Sequence, residues 1–431
     1  MAAIRHQADN WESKHRMAGN ATFLKAATTQ AWLSQFDPSD QQTAKAILEE
    51  MLLVSRDEFA ERLRSAILRR LDAESGPVGI YVERELPSRK GIPHRLFKES
   101  SRRPKRAHGV GPAPVKPTRR YDPDVGSEGI VAQLITEICR ERKGLAINHP
   151  GPDAIRKKSI RRFMLVTDFI GSGDRAWKYL QAAWRVRSVR SWWSLRASNG
   201  MGFEVVAYSG SLKGIKRVQS HPSAPVVSTV CACPTVSTSL SPADRQEATS
   251  LCERKNPDKK MPAMGFGEVG ALIAFAHGAP NNCPAMLFKK ASGWEPLFPV
   301  RLTTSTRADF TVEDAAEEVR ARLEKMGQSR LAHPELKAIP SGKRSLLLIM
   351  AALSKPPRTP EAVSRKTRLT LFEVEAAMAR GLKLGWLDGR NRVTDEGHAE
   401  LRRARIVPAK RPAFPSVPEE PYYPKSLRAP T

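Results

Sequence analysis

Nowhere in the chain does an apolar stretch approach the roughly 20 residues needed to cross a bilayer. The opening MAAIRHQADNWESKH also lacks the apolar core of a secretory signal. No membrane association is expected, and the cytoplasm is the expected location. Cysteine is scarce. The five cysteines, at 139, 231, 233, 252 and 283, are an odd number, which fits reduced thiols better than a disulfide framework. The pair Cys231-Ala-Cys233 has neither a second pair nor a His cluster to complete a zinc site, so buried thiols at a strand are expected and no metal site is assigned. Acidic residues are under-represented: 45 Asp and Glu face 71 Lys and Arg, a formal charge of +26. That balance favours a polyanionic partner such as nucleic acid or its building blocks, with a merely soluble basic protein as the alternative.

With 431 residues and an apolar share of 40%, the chain can bury real cores, and two or three domains are expected. Residues 1–75 read as an N-terminal helical region. Apolar residues recur at helical spacing from Ala44 to Leu52 and again from Phe59 to Leu71. Residues 76–305 alternate strands (GPVGIYVERELP, GLAIN, FMLV, GFEVVAYSGS, APVVSTVCACPTV) with amphipathic helices, which argues for an α/β fold with a mainly parallel sheet. Within it, residues 87–119 are crowded with Pro, Gly and positive charge and read as a loop, either a solvated surface or a mobile basic flap beside a phosphate pocket. Residues 306–344 form a helical linker and 345–406 a compact third unit. The basic, Pro-rich tail at 407–431 is expected to be disordered.

The stretch MLVTDFIGSGDR, residues 164–175, carries the chemistry. A strand ending in an acid, followed by small flexible residues and a helix, converges backbone N–H groups and a helix N-terminus on one point where phosphate fits. Gly171 and Gly173 permit positive φ and close approach, Ser172 adds a hydroxyl donor, and Asp168 can accept hydrogen bonds from a sugar diol or bind a metal through water. A Walker A loop fails because no Lys-Ser or Lys-Thr follows Gly173. A dinucleotide fingerprint is formally present as Gly171, Gly173 and Ala176, but EVVAYSGS offers no acid at the end of the next strand. A tight strand–helix turn with Asp168 capping the helix is the structural alternative. In AHGAPNNCPAML, His277, Asn281 and Asn282 either line a pocket or form turns.

FMLVTDFIGSGDR resembles the phosphoribosyl pyrophosphate signature of the type I phosphoribosyltransferases: four apolar strand residues, an acidic pair, three variable positions, then a hydroxyl residue and Gly. The resemblance implies that Asp168 is the second acid, holding ribose hydroxyls, while Ser172 and Gly173 bind the 5′-phosphate, with magnesium accompanying phosphoribosyl pyrophosphate. It also implies that DVGSEGIVAQLITEI occupies the place of the pyrophosphate loop, with Gly126, Ser127, Glu128 and Gly129 as its candidates. The basic segment 155–162 would then close over the pyrophosphate through Lys157 and Lys158. The departures are chemical. Thr167 replaces the first acid, Gly171 stands where purine-salvage members carry a carboxylate acting on the base, and Asp174 beside a phosphate is unfavourable unless Arg175 offsets it.

The unit 345–406 parses as helix, short helix, long helix, wing and last helix, and GLKLGWLDGRNRVTDEGHAEL resembles the winged-helix domains of bacterial regulators. Its third helix opens with Glu373 and Glu375, which repel phosphate. Positive charge sits at Arg365, Lys366 and Arg368 and on the wing at Arg390 and Arg392, so binding nucleic acid through its backbone and docking on protein stay equally open. The whole arrangement, an α/β phosphoribosyltransferase-like parallel-sheet core with N-terminal helices and a C-terminal winged-helix domain, resembles the phosphoribosyltransferase-like effectors of bacterial retron anti-phage systems. That resemblance implies a toxin held inactive by a reverse transcriptase and its RNA–DNA product. The alternative is a regulator that senses phosphoribosyl pyrophosphate without catalysis and binds DNA through the winged helix.

Overall fold

The computed structural model describes residues 20–101, 103–114, 127–299, 315–333, 335–336 and 339–405. Gly126 and the tail 407–431 lie outside the described residues. The N-terminal helices α1 (Asn20–Lys25), α2 (Ala27–Leu33) and α3 (Pro38–Glu49) lead into a short strand β1 (Leu52–Val54) and a long helix α4 (Arg56–Asp72). Ser55 caps α4 by accepting from the Glu58 amide, with Asp57 and Glu58 in the first turn where the helix dipole favours them. Strand β2 (Val78–Val82) follows, then α5 (Ser127–Glu141), β3 (Ala146–Asn148), α6 (Pro152–Lys157) and β4 (Arg162–Ile170). Helices α7 (Asp174–Trp184) and α8 (Arg187–Ser194), strand β5 (Gly202–Gly210), α9 (Leu212–Gln219) and β6 (Val226–Ala232) complete the sheet region.

The five strands β6-β5-β4-β2-β3 lie side by side, and every neighbouring pair is parallel. Each face is covered, which is why FMLV is an unbroken apolar run rather than an alternating one. The alternation survives in direction. Met164 and Val166 enter one core together with α4 and α5, while Phe163 and Leu165 enter the other beneath α6, α7 and α8. Connections leave β2 toward one edge and β4 toward the other, so the chain diverges above the C-terminal ends of these two neighbours. In open α/β sheets that divergence is where ligands bind.

Residues 20–72 do not form a region of their own. Strand β1 pairs in parallel with β7 (Ile273–Phe275), and Phe23, Trp32, Leu48, Phe59 and Leu63 share one core with Val78, Met164, Tyr208 and Phe298. The alternation was too short at Leu52–Val54 to signal a strand. Its three buried residues pair with a segment more than two hundred positions away.

The C-terminal unit has its own core. It comprises α13 (Ser341–Leu353), α14 (Pro360–Thr367), α15 (Leu371–Lys383), a wing closed by the Leu387–Val393 bridge, and α16 (Asp395–Ala404), numbered after α10 (Val236–Ser239), α11 (Pro242–Arg254) and α12 (Ala285–Phe288). A helix at Ala315–Lys325 packs against α13, placing Leu323 in the same core, so the expected linker contributes to this unit.

Phe59 is 1% exposed and packs edge-on or tilted against Phe275, Tyr208 and His277. Phe59→Ala should therefore cost about 3–5 kcal/mol. In chemical denaturation followed by fluorescence, the loss should appear in the transition of the whole sheet domain; a separate early transition of the N-terminal helices would contradict the shared core.

Candidate functional site

At the divergence of β2 and β4 lies a cavity of about 610 Å³. Its polar end is formed by Glu83, just past β2, Glu128 in the first turn of α5, and the segment Asp168–Arg175. Its apolar end is formed by Phe266, Phe275, Phe288 and Phe298, with His277 between the two. Four separate parts of the chain converge here because parallel strands deliver their C-terminal ends to one edge.

The loop after β4 has the shape its composition suggested. Gly173 sits at φ 82° and is the N-cap of α7, which begins with Asp174 and has no side-chain cap. Asp168 therefore does not cap the helix; its Oδ1 accepts from its neighbour's amide, Phe169, at 2.8 Å. Gly171 is required by crowding: a Cβ there would lie 1.9 Å from Asn282 Oδ1. The loop is clamped from below by Ser211, whose hydroxyl donates to the Gly171 carbonyl at 2.6 Å, and by Gly214, where a Cβ would sit 2.2 Å from that same oxygen. Gly173 to Ala176 line the cavity, so the start of α7, the positive end of its dipole, lies at the cavity wall. Ser172 Oγ accepts from the Asp174 amide at 3.3 Å.

An acid from the end of the neighbouring strand lies beside Thr167. Glu83 is 5% exposed, and its carboxylate accepts from the Thr167 hydroxyl. Arg175 reaches back across the cavity to Glu83 Oε1 at 3.6 Å and pairs with Glu128. Asp174 is offset by Arg217 at 3.4 Å rather than by Arg175. Burial raises the Glu83 carboxyl to about 7, opposed by Arg175 and Thr167 and reinforced by Asp168 and Glu128. Sequence reading missed Glu83. Its only signal was an acid at the end of an apolar run, VGIYVERE, beside which nothing marked the adjacency of β2 and β4.

His277 stacks on Phe275 at 4.9 Å between ring centroids, and its Nε2 lies 3.7 Å from Asp168 Oδ2, buried and without a hydrogen-bond partner. Asn282 is buried and donates to the Phe266 carbonyl at 2.8 Å, while Asn281 lines the cavity and its carbonyl accepts from the Phe266 amide at 2.7 Å. All three candidates of the polar island thus line the cavity, with His277 and Asn282 against the loop. Gly129 is buried inside α5, and Ser127 is its first residue.

Other candidates do not arrive. Lys157 and Lys158 are exposed at the end of α6, beside the start of β4, and nine residues of strand separate that end from the loop, roughly 25 Å. The basic segment after β2 is held elsewhere. Ladders join Ser88–Arg89 to Ile92–Pro93 and Lys98–Glu99 to Ala107–His108, and the Ala107 amide donates to Ser188 Oγ on α8. In the winged helix, Arg365, Lys366 and Arg368 are not a free cationic face. Arg368 is 6% exposed and donates to the carbonyls of Glu49 and Met51 beyond α3, Lys366 Nζ donates to the Ala352 and Lys355 carbonyls, and burial lowers all three cations. Helices α14 and α15 pack against β6, and Arg69 of α4 lies over the Phe372 ring at 4.2 Å. Arg390 and Arg392 remain exposed on the wing.

Two measurements test this geometry. The raised carboxyl of Glu83 holds its proton more tightly in the folded state, so its contribution to stability is complete below about pH 4.5 and fades as pH rises through 7. Glu83→Gln should gain on the wild type between pH 5 and 8 by up to about 3 kcal/mol in denaturant titrations; a constant difference would argue against a buried proton there. Gly171→Ala should distort the loop and lower the melting temperature, and Gly171→Ala combined with Asn282→Ala should recover part of that loss, because the second change removes the colliding amide.

No curated protein and no solved structure matches the chain. Residues 347–429 match the wHTH-PRTase associated family, in agreement with the winged-helix unit. Residues 29–300, more than half of the chain, match the PRTase-CE family, a span that begins within the N-terminal helices and ends with the apolar wall of the cavity. The chain is thus a member of the PRTase-CE family: a phosphoribosyltransferase-like domain followed by its associated winged helix.

Proposed function

We propose that the cavity binds phosphoribosyl pyrophosphate or a nucleotide, and that the protein is the toxic effector of a bacterial retron antiviral system, held by a reverse transcriptase and its RNA–DNA product. The observation that carries the ligand assignment is the clamped Gly171-Ser172-Gly173 turn at the N-terminus of α7, with Asp168 and Glu83 beside it. A 5′-phosphate takes the loop amides and the Ser172 hydroxyl, and the ribose hydroxyls donate to Asp168. Arg175, poised between Glu83 and Glu128, is the cation within reach of a pyrophosphate.

Among the described residues no group of three or more acidic, His or Cys side chains is placed to hold a metal ion. Magnesium therefore fits as a companion of the ligand, bound chiefly through phosphate oxygens with one or two of these carboxylates. When bound it would neutralise the leaving pyrophosphate. Gly171 leaves the usual base-directed carboxylate absent, so transfer to water or to a different acceptor is the proposed reaction. His277, stacked on Phe275 in the cavity wall near Asp168, is the imidazole proposed to take the proton of the attacking molecule.

The alternative, a DNA-binding regulator, needs α15 to enter a major groove. Arg69 of α4 instead lies over Phe372 in the first turn of α15, and the preceding Arg368 is anchored in the main domain. Docking on protein is the reading of the winged helix that this packing supports.

Titration calorimetry of the purified protein with phosphoribosyl pyrophosphate and magnesium, and with nucleotides, tests the proposal. Asp168→Ala should weaken binding at least about tenfold with an unchanged melting temperature and should abolish toxicity on expression. Wild-type binding and toxicity in that variant would remove the loop from the mechanism. A wild-type protein that neither binds nor consumes these ligands, even when freed of its partner, would sink the effector reading.

A further inference from the structure

The cations that the cavity does not use gather at the far end of the sheet. Between Asp153 and Asp168 the sequence carries Arg156, Lys157, Lys158, Arg161 and Arg162 and no acid. From Arg185 to Arg196 it carries four more cations, again with no acid. The fold brings these two runs together. Arg156 lies over the Trp192 ring at 5.9 Å, Arg161 reaches the Ser198 carbonyl at 3.5 Å, and Arg196 stacks on Trp193 at 3.7 Å. Lys157, Lys158, Arg161, Arg190 and Arg196 are all exposed, while Arg162 is taken by Glu74 and Glu204. The carboxylate beside them, Asp153, is tied to Arg156 and to the Gly109 amide.

We propose that this surface, formed by the end of α6, the entry to β4 and the helix α8 with its following turn, binds single-stranded nucleic acid. The cations track the phosphodiester backbone, and Trp192 together with the Arg196–Trp193 stack receives bases. The rings favour a single strand over a duplex because both lie against the body of the protein. Trp193 Nε1 donates to the Ser223 carbonyl at 2.8 Å, and Trp192 packs against the core beneath α8. Rings so held cannot insert into a groove; unstacked bases must come to them. The winged helix, joined to the main domain through α14 and α15, is not needed for this contact.

Fluorescence anisotropy of the full-length protein with labelled oligo(U) and oligo(dT) of about 20 nucleotides, across a salt series, reads the result. The variant Lys157→Glu/Lys158→Glu/Arg190→Glu should bind at least about tenfold more weakly, with the log–log salt slope shallower by about 2. Trp192→Ala should weaken binding about fivefold or more with little change in slope. Calorimetric binding of phosphoribosyl pyrophosphate should be unchanged in both variants, so failure here and failure of the cavity assignment are separable. The proposal is overturned if the triple variant binds like the wild type, if binding is lost instead in Arg390→Glu/Arg392→Glu, or if duplex DNA binds as tightly and Trp192→Ala has no effect.

Discussion

Everything at the cavity depends on one topological constraint, the divergence of the chain between β2 and β4. These strands are hydrogen-bonded neighbours, yet their connections run to opposite edges of the sheet. The space above their C-terminal ends is consequently left open, and whatever residues end the two strands must share it. Thr167 and Glu83 meet for that reason and for no other. The same constraint separates the cavity from Lys157 and Lys158, since a parallel strand puts its entry and its exit on opposite edges.

Concentrating acids at such a point is electrostatically costly, and the arrangement of cations answers it. Glu83, Glu128 and Asp168 crowd the polar end, and one guanidinium, Arg175, is shared between the first two. Asp174, which would otherwise repel a phosphate at the helix terminus, is drawn off by Arg217, itself held over the Trp177 ring at 4.5 Å. The helix N-terminus at the cavity is thus one whose adjacent carboxylate already has a partner. The thiols take no part: four of the five cysteines are buried, and burial pushes their pKa upward, as befits packing rather than reactivity.

The winged helix is joined to this domain through its own recognition elements. Ser364 Oγ accepts from the Ala232 amide at the end of β6, and Arg368 adopts a left-handed conformation at the end of α14 while its side chain reaches the carbonyls beyond α3. A carbonyl-rich helix end is a natural seat for a buried cation. Movement of this unit would therefore disturb α3, α4 and β6, all of which reach the core beneath the cavity.

Local chemistry was legible from the residues alone. Strand-length apolar runs marked β2, β4, β5 and β6, the Gly-Ser-Gly turn marked the strand–helix loop at the cavity, and helix spacing with a wing marked the terminal unit, because each rests on contacts within a few positions of the chain. What required the tertiary structure was every decision that depends on adjacency: that residues 52–54 pair with 273–275, that buried Glu83 meets Thr167, that Asn282 fills the space Gly171 leaves, and that Arg368 is buried against the end of α3. The sequence specifies which groups can hydrogen-bond, carry charge or turn sharply. Which of them meet is set by strand order and by burial in a shared core, and those arise from packing of segments far apart in the chain.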